Sequence, residues 1–102
     1  MAKGYWVAHI DVNDPEGYKA YVVAHDEAFR KYGARYLVRG GQSDTVEGKL
    51  RARHVVIEFS DYATALACYR SSEYERAKAL RIGTAVLDIL VTEGYDGAQP
   101  TA

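Results

Sequence analysis

The chain has 102 residues, 48% hydrophobic and 26% charged, the size and composition of one ordinary globular domain with no room for a second. Its formal net charge of -1 supplies no general attraction to nucleic acid or to an anionic membrane, so neither is expected as a partner. The lone cysteine, Cys68, excludes an internal disulfide framework and suits a reducing compartment; with no signal-peptide pattern between Met1 and Tyr5 and no apolar run near the roughly 20 residues of a membrane span, the expected location is the cytoplasm.

Gly4 to Val12 (GYWVAHIDV) is rich in aromatic and branched residues and reads as a strand. Asn13-Asp14-Pro15 then marks a helix start, with an N-cap acid followed by proline where no backbone N–H is needed. Tyr18, Tyr21, Val22, His25, Phe29 and Tyr32 recur every three or four residues and Gly33 supplies a stop, which predicts a helix over Pro15 to Tyr32. Arg35 to Arg39 (RYLVR) reads as a second strand, broken by Gly40-Gly41, with a short extended piece expected at Thr45 to Glu47. His54 to Phe59 (HVVIEF) is the clearest strand, and Ser60-Asp61 caps a second helix carrying Tyr62, Ala65, Leu66 and Tyr69 at helical spacing. Ser71 and Ser72 interrupt that helix and restart it, because Ser72 and Glu75 have the spacing of a capping box, and Tyr74, Ala77 and Arg81 then share one face. Gly83 closes it. Ala85 to Glu93 (AVLDILVTE) is the last strand, and the domain is expected to occupy residues 1–94 with a loose small-residue tail over 95–102.

Strand, helix, strand, then strand, helix, strand predicts an α+β fold of ferredoxin-like βαββαβ type, an antiparallel sheet with two helices on one face. The strands are apolar on both alternating sets: Trp6, Ala8 and Ile10 against Tyr5 and Val7, and Leu87, Ile89 and Val91 against Val86 and Leu90. Two helices cover one set, so the other is predicted to meet a second copy of the chain in a homodimer.

The segments GYWVAHIDVNDPEGYKAY, YLVRGG and VVIEFSDYATALACYRSSEY, with the region around Arg81, resemble the family called domain of unknown function 1330, within the dimeric α/β-barrel (ferredoxin-like) superfamily. The resemblance spans nearly the whole chain and implies that fold, with a dimer in which two sheets pack face to face. It implies no single reaction, since that superfamily includes monooxygenases, isomerases, dehalogenases, haem-handling enzymes and proteins without known activity.

Three groups of residues are candidates for chemistry. His9, Asp11, Arg39, Glu58 and Asp88 are charged or titratable positions inside otherwise apolar strands. Arg39 and Glu58 either bridge to each other or serve a ligand, Glu58 as general base and Arg39 as anion clamp. Tyr21 and His25 on the first helix, with Tyr69, Tyr74 and Arg81 on the second, form the expected ring of a small-molecule pocket between helices and sheet. There tyrosine hydroxyls would orient a ligand, Arg81 would bind an acid group, and His25 would move a proton or else be a hydrogen-bonded core residue. Lys49, Arg51 and Arg53 alternate before His54 and read as a solvated basic edge. The histidines lack metal-ligand spacing, no cofactor motif is present, and Cys68 reads as a core filler, so neither metal nor cofactor is expected. The resulting expectation is a cofactor-independent enzyme acting on a small acidic or phenolic metabolite, or a non-catalytic dimer that binds one.

Overall fold

In the computed structural model, which describes residues 2–101, the chain runs β1 (Gly4–Val12), α1 (Pro15–Tyr32), β2 (Arg35–Arg39), β3 (Arg53–Phe59), α2 (Tyr62–Tyr69), α3 (Ser72–Ala79) and β4 (Ala85–Glu93). The local signals act where expected. Asp14 accepts the Gly17 N–H at 3.1 Å to start α1, and Gly33 ends it in the left-handed conformation at φ 69°. The second helix is split in two, and its restart is capped by Ser71 instead of Ser72. The Ser71 hydroxyl accepts the Tyr74 N–H at 3.1 Å and donates to the Cys68 carbonyl at 2.7 Å, closing α2 and opening α3 with one side chain. No strand forms at Thr45–Glu47, and residues 94–101 add no helix or strand. Ala102 of the expected tail, like Met1, lies outside the described residues.

The strands form one antiparallel sheet in the order β2-β3-β1-β4. Alternation then assigns the faces. Trp6, Ala8 and Ile10 of β1 and Val55, Ile57 and Phe59 of β3 are buried towards the helices, joined by Leu87, Ile89 and Val91 of β4. The opposite set points away, with Val86 and Leu90 still 47% and 51% exposed.

Trp6 is the hub of the covered side. Its ring centroid lies 5.0 Å from Tyr74, 5.3 Å from Phe29, 5.5 Å from Phe59 and 5.6 Å from Tyr69. Its indole N–H donates to the Ala65 carbonyl at 2.8 Å, so one residue holds β1, β3 and all three helices in register. Gly4 is required at the start of β1, since a Cβ there would press into the Asp61 carbonyl at the head of α2. Cys68 packs fully buried beneath α1, and burial pushes its thiol up to about 12, as befits a core residue. Among the described residues no helix is long and apolar enough to cross a membrane.

Replacing Trp6 by Phe removes the buried indole hydrogen bond and part of a ring at the centre of this cluster. The variant is expected to lose about 1–3 kcal/mol of stability, read as a lower urea midpoint at unchanged m-value. A midpoint that does not move would show that the Trp6–Ala65 bond does not tie α2 to the sheet.

Candidate functional site

The stripe Tyr18, Tyr21, Val22, His25 and Phe29 along α1 faces the sheet without closing fully onto it, because α1 packs chiefly against α3. A slot of about 50 Å³ remains beneath it. Trp6, Ala8, Val55 and Ile57 make an apolar floor, and Tyr36, Arg39 and Arg53 stand at the β2–β3 end. Among the described residues no acidic side chain lines it.

Two local devices bring the arginines there. Tyr36 lies opposite Ile57 but Val38 lies opposite Val56, so Leu37 is an extra residue, a β-bulge that shifts the phase of β2 by one. Without it, Arg39 would share the outer face with Val56; with it, Arg39 lies opposite Val55 and points under α1, its guanidinium 4.2 Å from the Tyr36 ring centroid. Arg53 opposes Ile10 on the inner face, and its side chain lies across Gly40, where an added Cβ would come within 2.6 Å of the guanidinium carbon. Gly40 also holds φ 64°, a conformation few other residues accept.

His25 is 6% exposed, packed between the Phe29 ring at 4.4 Å and the Tyr21 ring at 5.0 Å. Its Nδ1 has no hydrogen-bond partner; Asp26 Oδ1 lies 3.3 Å away but, as the next residue on the same helix, is out of line for a bond. Burial disfavours the imidazolium, Asp26 favours it and Arg39 opposes it, and the net effect lowers the pKa to about 4, so the ring is neutral near pH 7. Burial likewise pushes the Tyr18 hydroxyl up to about 12 and raises that of Tyr36, which keeps both protonated and able to donate.

The remaining expected pocket residues are elsewhere. The Tyr21 and Tyr74 hydroxyls are 2.6 Å apart, and Arg81 donates to Tyr74 at 2.6 Å and to Tyr21 at 3.2 Å. This closed network braces α1 against the end of α3, with Tyr74 fully buried, so Tyr74 and Arg81 spend their polar groups on each other and do not ring the slot. Tyr69 packs against Trp6 and Tyr74 with Lys78 over its ring, and its outer side faces a groove beside Ile89 and Val91 of β4. Glu58 is on the other side of the sheet, opposite Arg35, accepting the Tyr5 hydroxyl at 3.2 Å. The Arg39–Glu58 bridge therefore does not form, because the strand register sends the two to opposite faces. The basic edge is divided too. Arg51 donates to Asp88 at 2.9 Å and Asp11 at 3.1 Å, while Arg53 turns into the slot. On the outer face His9 and His54 share a contact of 2.8 Å between their Nδ1 atoms.

The site thus keeps Tyr21, His25 and Arg39 from the expected set and adds Tyr18, Tyr36 and Arg53. Tyr18 carried a readable signal, three residues before Tyr21 on the same helical face. Tyr36 and Arg53 lacked one, since their faces depend on the bulge and on where β3 begins.

The chain belongs to the family Domain of unknown function (DUF1330), whose profile matches residues 3–95; the resemblance of its sequence segments pointed to the same family. No curated protein matches the sequence. The fold is shared with RPA0582 of Rhodopseudomonas palustris, a protein of unknown function, at 13% identity over 94% of this chain and 85% of that one, with a TM-score of 0.74. It is also shared with SnoaB of Streptomyces nogalater, a cofactor-independent oxygenase, at 8% identity over 99% and 98% of the two chains, with a TM-score of 0.62. A putative antibiotic biosynthesis monooxygenase from Nitrosomonas europaea aligns over 92% and 98% of the chains at 15% identity, with a TM-score of 0.57.

His25 gives the site a pH signature. An unfolded histidine titrates near pH 6.5 and the folded one near 4. Between those values the unfolded chain binds more protons, so stability falls as pH drops from about 6.5 towards 4. His25→Phe is expected to flatten this part of the melting-temperature profile relative to the parent, and parallel profiles between pH 6.5 and 4 would contradict a depressed pKa.

Proposed function

We propose that this member of the DUF1330 family binds a small acidic or phenolic metabolite in the slot beneath α1 and acts on it without a cofactor, by proton transfer or by oxygenation with dioxygen. The observation that supports this most is the unpartnered Nδ1 of buried, neutral His25. A buried polar atom without a partner is unfavourable in a finished core, whereas a ligand hydroxyl or acidic C–H would complete it. Neutral imidazole can take a proton in the reaction, and negative charge left on the ligand would then stabilise the imidazolium in a dry site. Tyr18 and Tyr36 hydroxyls can orient the developing anion. SnoaB, a cofactor-independent oxygenase on the same fold, supports the reaction class. The buried state of the lone cysteine accords with a reducing cytoplasm.

A metabolite screen by thermal shift is expected to return an acidic or phenolic ligand, since a compound that binds the native state alone raises its melting temperature. The same compound should be turned over, with oxygen uptake or solvent-proton exchange slowed roughly a hundredfold or more in His25→Gln, in the range of general-base loss. Binding without turnover would leave the non-catalytic metabolite-binding reading in its place.

The outer sheet face supports a homodimer. Leu37, Val38, Val86 and Leu90 are 48%, 43%, 47% and 51% exposed, and with the half-buried Val7 and Val56 they make one apolar surface of the kind that a second copy covers. Sedimentation equilibrium at micromolar concentration is expected to give the mass of two chains, and Leu90→Lys to weaken association more than tenfold. A parent protein that sediments as a monomer would rule the dimer out.

A further inference from the structure

We infer that Arg39 and Arg53 together form a carboxylate clamp at the mouth of the slot, and that its ligand is a small monocarboxylic acid held with the carboxylate outward and the apolar end inward. The inference rests on the reading of the slot as a ligand site and narrows the class of ligand to one.

Both guanidiniums reach the same opening from neighbouring strands, each by its own backbone device: the extra residue Leu37 turns Arg39 inward, and the missing side chain at Gly40 lets Arg53 lie beside it. Among the described residues neither arginine has a carboxylate partner. The acids that do form ion pairs are engaged elsewhere, Asp11 and Asp88 by Arg51, Glu27 by Arg76 and Glu73 by Lys31. Asp26 on α1 is the acid whose charge reaches this end of the slot, acting on His25 and Tyr36, and it pairs with neither arginine. Two like charges gathered without a counter-ion repel one another, and a bound anion relieves that repulsion. A planar carboxylate matches the fork geometry of guanidinium groups.

The interior sets the other end of the ligand. Its floor is apolar and its wall carries no acid, so it rejects a second carboxylate. The slot's 50 Å³ is smaller than the roughly 150 Å³ cavity that holds a whole benzene ring, so a ligand enters it with a short chain or the edge of a single ring while the rest stays at the open mouth. His25 therefore meets the tail, and the carboxylate stays at the rim.

Isothermal titration of the full chain with benzoate, 4-hydroxybenzoate and hexanoate, each beside its primary amide, tests the clamp directly, because the amide keeps the shape and removes the charge. At least one acid is expected to bind ten times more tightly than its amide, and to lose roughly tenfold to hundredfold in both Arg39→Gln and Arg53→Gln, as for charge-assisted bonds. Equal binding of acids and amides would overturn the clamp and leave the slot standing as a ligand site. Failure of all six compounds to bind would overturn the clamp also, and the slot would then be judged by the metabolite screen. A separate readout needs no ligand. If the arginines serve an anion, either Gln variant melts at the parent temperature or above it, whereas a loss of several degrees would make them structural and end the proposal.

Discussion

Everything on the covered side of this sheet is referred to Trp6. A residue that touches four aromatic rings and bonds the backbone of α2 fixes the spacing of two layers at one place, and close-packed interiors transmit such a constraint outward. Around Trp6 the layers are filled. Along α1 on the N-terminal side of Phe29, from His25 towards Tyr18, the filling runs out, and the slot is what remains between the helix and a sheet that twists away from it.

The Tyr21–Tyr74–Arg81 network complements that anchor. It joins residues 53 and 60 positions apart and holds the first half of α1 against the end of α3. A half-buried guanidinium whose Nη1 donates to two hydroxyls and which lies over two aromatic rings ties these elements together in one hydrogen-bonded network. For the proton transfer proposed for His25, rigid support behind the ring matters, because a group that is to meet a reacting atom gains from being held before the ligand arrives. The residues that look most chemical in the sequence thus serve the site from behind it.

The sequence made the frame legible wherever the signal was local. Asp14-Pro15 and Gly33 bounded α1 to the residue, and alternation in β1 and β4 separated the covered set from the exposed set, because caps and strand parity are decided by neighbours. What escaped was decided at a distance. A tyrosine on an amphipathic helix reads the same whether its hydroxyl meets a ligand or another tyrosine, so Tyr74 and Arg81 could not be told from pocket residues. Glu58 and Arg39 were assigned as possible partners because pairing register is invisible until the strands are laid together. Arg53 passed for a solvated edge because the start of β3 set its face.

The bulge at Leu37 has a wider meaning. In a two-faced strand, which residues point inward is a matter of phase, and β2 is an edge strand of five residues, where a change of phase disturbs few hydrogen bonds. Pairing Leu37 with Val56 in a regular ladder would put Val38 opposite Val55 and exchange it for Arg39 beneath α1 while leaving composition, helices and core nearly as they are. The electrostatic character of the slot is therefore written in counting rather than in chemistry. Relatives of one fold can differ in what they accept by the loss or gain of one bulge, with almost no trace in overall sequence similarity.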